Sequence, residues 1–172
     1  FPLLIVIILY ILLINMNIFI KYTLLFSASI AWSQEIYTEY LVVGQDTIDV
    51  FSYQIPELYD ETITHPLLLT FHQWGGNENS PYNTQFDEEA NQRNWVMLSP
   101  YGGASNNYNH QGMQAMVEGE ILWIMENYNI DKNRIYIVGG SMGGATGAIY
   151  ANNHLDPTKP MVAATASASG IL

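Results

Sequence analysis

The sequence has no cysteine and very few positive charges. Without cysteine, disulfides, a thiol nucleophile and cysteine-ligated zinc are all excluded. Five Lys and Arg residues stand against sixteen Asp and Glu residues, giving a formal net charge of −11 at pH 7. A surface this acidic repels the phosphate backbone of nucleic acids, so a nucleic-acid partner is not expected. With 172 residues, the chain has room for about one domain.

Charge is nearly absent from the N-terminal segment, where Lys21 is the only charged side chain before Gln34. Lys21 is followed by the apolar run Thr23–Trp32 and then by the small residue Ser33. A cationic residue, an apolar stretch and small residues at the end form the pattern of a secretory signal peptide. We therefore predict translation from Met16, cleavage after Ser33 and a secreted or periplasmic protein.

A membrane anchor is the alternative interpretation of the same segment. Phe1–Ile20 is long enough to span a bilayer core of about 30 Å, but Asn15 and Asn17 interrupt it. We predict that residues 1–33 are an upstream extension plus a signal peptide and that residues 34–172 form the folded part. No stable membrane insertion is then expected after cleavage.

From Gln34 onward, segments rich in β-branched and apolar residues alternate with segments of helical periodicity. The predicted strands are Glu35–Val43, Thr47–Tyr53, Pro66–Phe71, Trp95–Ser99, Arg134–Val138 and Met161–Ala168. The predicted helices are Ser80–Asn94, Met113–Tyr128 and a third that follows Ser141 to about His154. Gly44, Gln45 and Asp46 predict a hairpin between the first two strands. This alternation favours an α/β layer with a mainly parallel sheet.

Gly139–Gly143 matches the pattern Gly-x-Ser-x-Gly, with Ser141 at its centre. A serine on a sharp strand-to-helix turn has a strained backbone, so the residues two before and two after it must be small. The turn holds the hydroxyl above the sheet, and the helix N-terminus supplies backbone N–H groups. The match follows an apolar strand and precedes a helix, which is the context the motif requires. The alternative is a glycine-rich turn with an inert serine.

The segment His72–Gly76 closes the strand Pro66–Phe71. An acyl-transfer site needs a second backbone N–H directed at the developing oxyanion, from a loop beside the nucleophile. The loop after this strand is the usual place for it. A plain turn held by Gly75 and Gly76 is the alternative.

Three stretches together resemble a known family. They are Pro66–Gly76, Trp95–Tyr101 and the block Asp131–Gly144, which reads Asp-Lys-Asn-Arg-Ile-Tyr-Ile-Val-Gly-Gly-Ser-Met-Gly-Gly. They resemble the secreted α/β-hydrolase esterases of the polyhydroxybutyrate depolymerase and feruloyl or acetylxylan esterase type. The resemblance extends over about Asp46–Gly170 and is most specific in the Asp131–Gly144 block. It implies an α/β-hydrolase-like sheet that ends after about the sixth strand.

The same resemblance implies roles for individual residues. Ser141 would be the nucleophile, and the Met142 N–H would be one oxyanion donor. The second donor would be the Trp74 N–H, with Gln73 as the alternative. Gln73 stands where the family usually has glycine, and Trp74 could form a wall of the acyl pocket. His72 is expected to orient this loop through a hydrogen bond.

The sequence does not supply a complete catalytic triad. A nucleophilic serine needs a histidine base and a carboxylate, which follow the serine in the chain order Ser, acid, His in this fold. After Ser141 the only histidine is His154, at the end of the same predicted helix, and the only acid is Asp156. We expect neither to act, and we predict a truncated product whose acid and base lie beyond Leu172. The 172-residue chain itself is expected to have little activity. The alternative is a natural half-hydrolase without catalysis.

The remaining polar candidates have less specific interpretations. His65 and His110 are predicted to lie on the surface in loops. Asp87–Glu89 is interpreted as a solvated helix face rather than a metal site. The loop Tyr101–Tyr108 either lines a substrate cleft, where aromatic and amide groups suit sugars or phenolic esters, or is a surface loop.

The resulting prediction is a secreted serine carboxylic-ester hydrolase that forms an acyl-enzyme on Ser141. Its partner is a small-molecule, polysaccharide or polyester ester, and no cofactor or metal is expected. Two alternatives stay open, namely a serine peptidase of related fold and a non-catalytic protein on the same scaffold.

Overall fold

The computed structural model describes residues 34–106 and 111–170, which form a six-stranded mixed sheet with helices packed against it. The strands are β1 (Ile36–Val43), β2 (Asp46–Gln54), β3 (His65–Phe71), β4 (Val96–Pro100), β5 (Ile130–Gly140) and β6 (Val162–Ala168). The helices are α1 (Phe86–Gln92), α2 (Gln111–Asn127) and α3 (Met142–Asn153). The predicted leader at residues 1–33, together with Asn107, Tyr108 and His110, lies outside the described residues.

The strand order is β1-β2-β4-β3-β5-β6. The first two strands form an antiparallel hairpin, and β2 pairs antiparallel with β4. From β4 to β6 all neighbours are parallel. The predicted α/β-hydrolase-like fold with a mainly parallel sheet is confirmed. The carboxyl ends of β3, β4 and β5 therefore meet at one edge of the sheet, where ligands bind in open α/β folds.

The central strands are apolar because both of their faces are covered. Every residue of β3 is buried, as expected for an inner strand of a parallel sheet. On one face, Leu67 and Leu69 belong to a core that includes Val117 and Ile121 of α2. On the other face, Leu68 packs in a separate cluster that contains residues of α1 and β4. The alternation of side chains along a strand thus produces two cores from one continuous apolar run.

The prediction of one helix over Ser80–Asn94 is wrong. The segment instead forms a 3-10 turn at Ser80–Asn83 and the separate helix α1. Between them Thr84 is extended, with φ −114° and ψ −161°. Its hydroxyl donates to Pro81 O at 2.6 Å and accepts from the Phe86 N–H at 3.1 Å. The threonine side chain thus replaces the helical bonds at this point and divides the helix.

The last described strand, β6, pairs with β5 along one side, and its residues from Ala163 onward are exposed. No helix in the described part of the chain has both the length and the apolar character needed to cross a membrane.

Candidate active site

Ser141 occupies the turn between β5 and α3 in a conformation that side chains rarely adopt. Its φ is 54° and its ψ is −124°, and the residue is exposed. The turn is held from both sides, because the Ser141 N–H donates to Ala168 O at 2.8 Å and Ser141 O accepts from the Ala145 N–H at 3.2 Å. A non-glycine residue with positive φ persists only where the surroundings stabilise it, and such strain occurs preferentially at functional sites.

The glycines two residues before and two after Ser141 are required by the backbone around them. A Cβ added at Gly139 would lie 2.6 Å from the carbonyl carbon and oxygen of Gly143. A Cβ added at Gly143 would lie 2.2 Å from Phe71 O and 2.9 Å from His72 O. Real Cβ atoms essentially never approach this closely. The two glycines of the Gly-x-Ser-x-Gly motif are therefore required by the packing of this turn.

The close approach of Gly143 to Phe71 O and His72 O also places the end of β3 directly against the start of α3. The segment that follows β3, His72–Gly76, is called the oxyanion loop below. No turn or loop hydrogen bond within the described residues uses the N–H of Trp74 or of Met142. These are the two donors predicted for the oxyanion.

The oxyanion loop has a defined backbone despite Gln73. Gln73 O accepts from the Gly76 N–H at 2.9 Å, and the positive φ in this loop, 77°, belongs to Gly75. Since Gln73 is not among the residues with positive φ, a side chain there causes no backbone strain. The Trp74 side chain is 62% exposed.

His72 connects the oxyanion loop to the loop that follows β4. It is 3% exposed, and each ring nitrogen faces a carbonyl oxygen, with Nδ1 2.8 Å from Gln73 O and Nε2 3.0 Å from Tyr101 O. Its ring also stacks on Tyr101 with centroids 5.9 Å apart. The role of His72 in orienting the loop stays a prediction, and neither of its ring nitrogens is directed at Ser141.

The other described histidines also have partners elsewhere. His154 stacks on Tyr150 with ring centroids 3.8 Å apart, and its Nδ1 is 2.7 Å from Tyr150 O. The prediction that His65 lies on the surface is wrong, because it is 1% exposed. His65 begins β3, and its ring nitrogens lie 3.0 Å from Asn94 O and 2.9 Å from Asp60 O. Within the described residues, no histidine bonds to Ser141.

Sequence reasoning missed a buried pair of acids near this edge of the sheet, Asp49 on β2 and Glu120 on α2. Asp49 is 6% exposed and Glu120 is fully buried. Burial raises the pKa of Glu120 well above its ordinary value, and the neighbouring Asp49 carboxylate raises it further. The sequence does indicate that Glu120 is buried. It lies three residues after Val117 and four before Ile124, on the apolar stripe of its helix.

Among residues 34–106 and 111–170, no three His, Cys, Asp or Glu side chains converge in a way that would hold a metal ion. The cavity between the oxyanion loop and α3 has a volume of about 10 Å³ and is lined by Phe71, His72, Tyr101, Met142 and Thr146 among others. That space suits a single water rather than an acyl group.

Comparison with known proteins yields structural matches only. No family model and no curated protein sequence matches the chain. An acetyl xylan esterase from Aspergillus awamori superposes with a TM-score of 0.65 at 14% identity, covering 80% of this chain and 52% of that one. The esterase LipW from Mycobacterium marinum gives 0.66 at 16% identity, with 83% and 46% covered. A ferulic acid esterase from Anaeromyces mucronatus gives 0.57 at 13% identity, with 81% and 59% covered.

These similarities establish the α/β-hydrolase-like fold. The chain spans about half the length of the solved structures that it matches.

Proposed function

We propose that this chain carries the nucleophile and the oxyanion donors of a serine carboxylic-ester hydrolase. The conformation of Ser141 is the observation on which the proposal depends. It combines an exposed side chain with a positive φ of 54° between a strand and a helix. Strain of this kind is maintained by packed glycines on either side, and a solvent-facing hydroxyl is what an acyl-transfer nucleophile requires.

The proposed reaction follows from this placement. Ser141 Oγ attacks the ester carbonyl carbon, its proton passes to a base, and the carbonyl oxygen becomes an oxyanion. The Met142 and Trp74 N–H groups, with Gln73 as the alternative donor, stabilise that charge. The bond to the alcohol then breaks as the base returns the proton to the leaving oxygen, and water hydrolyses the acyl-enzyme in a second cycle.

The base and its orienting carboxylate are proposed to come from outside the described residues. The three described histidines each bond to other groups. Ser141 alone would be a weak nucleophile. We propose that a complete gene product supplies both groups, as in the fragment hypothesis drawn from the sequence.

The substrate is proposed to be a carboxylic ester of a small molecule, a polysaccharide or a polyester. Two of the similar structures are an acetyl xylan esterase and a ferulic acid esterase. This chain shares their fold. Esters of sugars or phenolic acids are therefore the first substrates to test.

The test is hydrolysis of p-nitrophenyl acetate by the protein expressed from its complete gene. Ser141→Ala should lower kcat by roughly three orders of magnitude or more, because the nucleophile is lost. Thr62→Ala, which deletes an exposed hydroxyl bonded only to Asp60 among the described residues, should stay within about twofold of wild type. Full activity in Ser141→Ala would reject the proposal.

A non-catalytic protein on the same scaffold is the second candidate. It is favoured by one observation, that no described histidine bonds to Ser141. This candidate predicts no hydrolysis of any ester by the protein from the complete gene. A related serine peptidase would instead prefer aminoacyl amides over esters in the same assay.

We also propose that the protein is exported with removal of its leader. The support is the order of charge, apolar run and small residues before Gln34. N-terminal sequencing of the protein recovered from its native host should start at Gln34. A mature chain that begins at or before Met16 would reject this proposal.

A further inference from the structure

Asp49 fixes the loop that follows β4. This loop, described over Tyr101–Asn106, is called the β4 loop below. Asp49 Oδ2 accepts from the Gly102 N–H at 2.7 Å, and Oδ1 accepts from the Gly103 N–H at 3.0 Å. Both glycines have positive φ, 69° and 82°, which directs successive N–H groups at the same carboxylate. The two oxygens of one side chain thus hold two consecutive peptide units.

Glu120 supports this arrangement from the helix side. Glu120 is fully buried and lies next to Asp49, and no N–H or O–H group of the described residues donates to either of its oxygens. Two carboxyl groups can share a hydrogen bond only if one carries a proton. Asp49 already accepts two backbone N–H groups, so a proton held by Glu120 would give the two carboxyl groups a shared hydrogen bond and would give Glu120 the partner it otherwise lacks. The raised pKa of Glu120 agrees with that assignment.

The β4 loop is in turn bonded to the oxyanion loop at two points. His72 Nε2 lies 3.0 Å from Tyr101 O. The Gly75 N–H donates to Ser105 O at 2.8 Å. These bonds flank Gln73 and Trp74, whose N–H groups are the predicted oxyanion donors of this loop. Displacement of the β4 loop would therefore shift the donors relative to Ser141.

We propose that Asp49 and the buried Glu120 form a positioning pair, in which the Glu120 O–H donates to Asp49, and that this pair sets the oxyanion loop in place through the β4 loop. The inference rests on the proposed ester-hydrolase function and adds two positioning residues to it. Oxyanion donors act on the charge that develops in the transition state. Misplaced donors should therefore lower kcat and leave KM nearly unchanged.

The test uses the protein from its complete gene, with p-nitrophenyl acetate as substrate. In Asp49→Asn the amide has one acceptor and places its NH2 group against a backbone N–H, so kcat should fall about tenfold or more with KM within about twofold. Glu120→Gln keeps a donor to Asp49 and should retain kcat within about threefold. Glu120→Leu removes that donor at similar volume and should lose kcat as Asp49→Asn does. Asp46→Asn, the same charge change at an exposed site of β2, is the matched control.

Circular dichroism and urea unfolding establish which variants are folded. If Asp49→Asn does not fold, Asp49→Glu replaces it, because it keeps the carboxylate and displaces it by one methylene. Unchanged kcat in folded Asp49→Asn and Glu120→Leu, or equal losses in Glu120→Gln and Glu120→Leu, would overturn the inference. Failure of the proposed function is a separate result, namely continued hydrolysis by Ser141→Ala.

Discussion

The carbonyl oxygen of Phe71 occupies the space that a side chain at Gly143 would need. A Cβ added at Gly143 would lie 2.2 Å from Phe71 O. This contact joins the end of β3 to the start of α3, and so it places the oxyanion loop beside Ser141. It also accounts for the second glycine of the Gly-x-Ser-x-Gly motif in purely steric terms.

Gly143→Ala should destabilise the protein because the contacting atoms are backbone atoms that cannot rotate away. We expect the free energy of unfolding to fall by about 3 kcal/mol, at the upper end of the usual cost of overpacking. Gly140→Ala is the matched control, since its added Cβ meets only Ala168 O at an ordinary 3.8 Å. Urea unfolding of both variants measures the difference. Equal stability of the two variants would contradict the account of this turn.

The two histidines His72 and His154 should differ sharply when each is replaced by phenylalanine. His72→Phe removes the ring-nitrogen contact to Gln73 O within the oxyanion loop and the one to Tyr101 O of the β4 loop. Its kcat should fall by about 10- to 100-fold with KM nearly unchanged, somewhat less than the cost of deleting an oxyanion donor outright. Steady-state kinetics on a p-nitrophenyl ester measures both constants.

His154→Phe provides the comparison. It keeps an aromatic ring to stack on Tyr150 and loses only the bond to Tyr150 O. Its kcat should stay within about twofold of wild type. A loss of several orders of magnitude would instead identify His154 as the catalytic base and contradict the structure described here.

Glu120 should make the stability of the protein depend on pH. Its pKa is raised in the folded state, so above about pH 5 the unfolded chain loses this proton while the folded protein keeps it. The free energy of unfolding of wild type relative to Glu120→Gln should therefore fall by about 1.4 kcal/mol per pH unit, until Glu120 ionises in the folded protein.

The groups that face Glu120 do not obscure this measurement. Asp49 faces it from β2, and Tyr150 of α3 interacts with it electrostatically. Burial raises the pKa of Tyr150 above its ordinary value, so this side chain stays neutral over the range used. Urea unfolding of the two proteins from pH 5 to pH 8 gives the difference directly. A difference that does not change with pH would show that Glu120 is ionised in the folded protein.

The order of strands and helices could be predicted from the sequence because each element has a local sequence pattern. The continuous apolar run before His72 indicates a strand covered on both faces, and β3 is that strand. The prediction of one helix over Ser80–Asn94 is wrong because the helix is interrupted by a single hydroxyl group. The Thr84 hydroxyl forms hydrogen bonds with the backbone on either side of it. The hydrophobic periodicity of a sequence does not reveal a side-chain hydrogen bond of that kind.

Only part of the candidate site could be predicted from the sequence, for a related reason. Ser141 and its glycines are adjacent in sequence, so their motif carries the geometry of the turn. The pairing of Asp49 with Glu120 joins β2 to α2 across the fold, and Asp49 alone resembles a polar interruption in a half-exposed hairpin. Its burial comes from the packing of α2 over this part of the sheet, and the alternation within one strand does not reveal it.

Active-site labelling tests most directly whether Ser141 is an activated nucleophile. The protein from its complete gene is treated with a fluorophosphonate, digested and analysed by mass spectrometry, with Ser141→Ala in parallel. We expect one modified peptide that carries the phosphonyl group on Ser141 and no modification in the variant. An unlabelled Ser141 in folded protein would contradict the claim that this hydroxyl is an activated nucleophile.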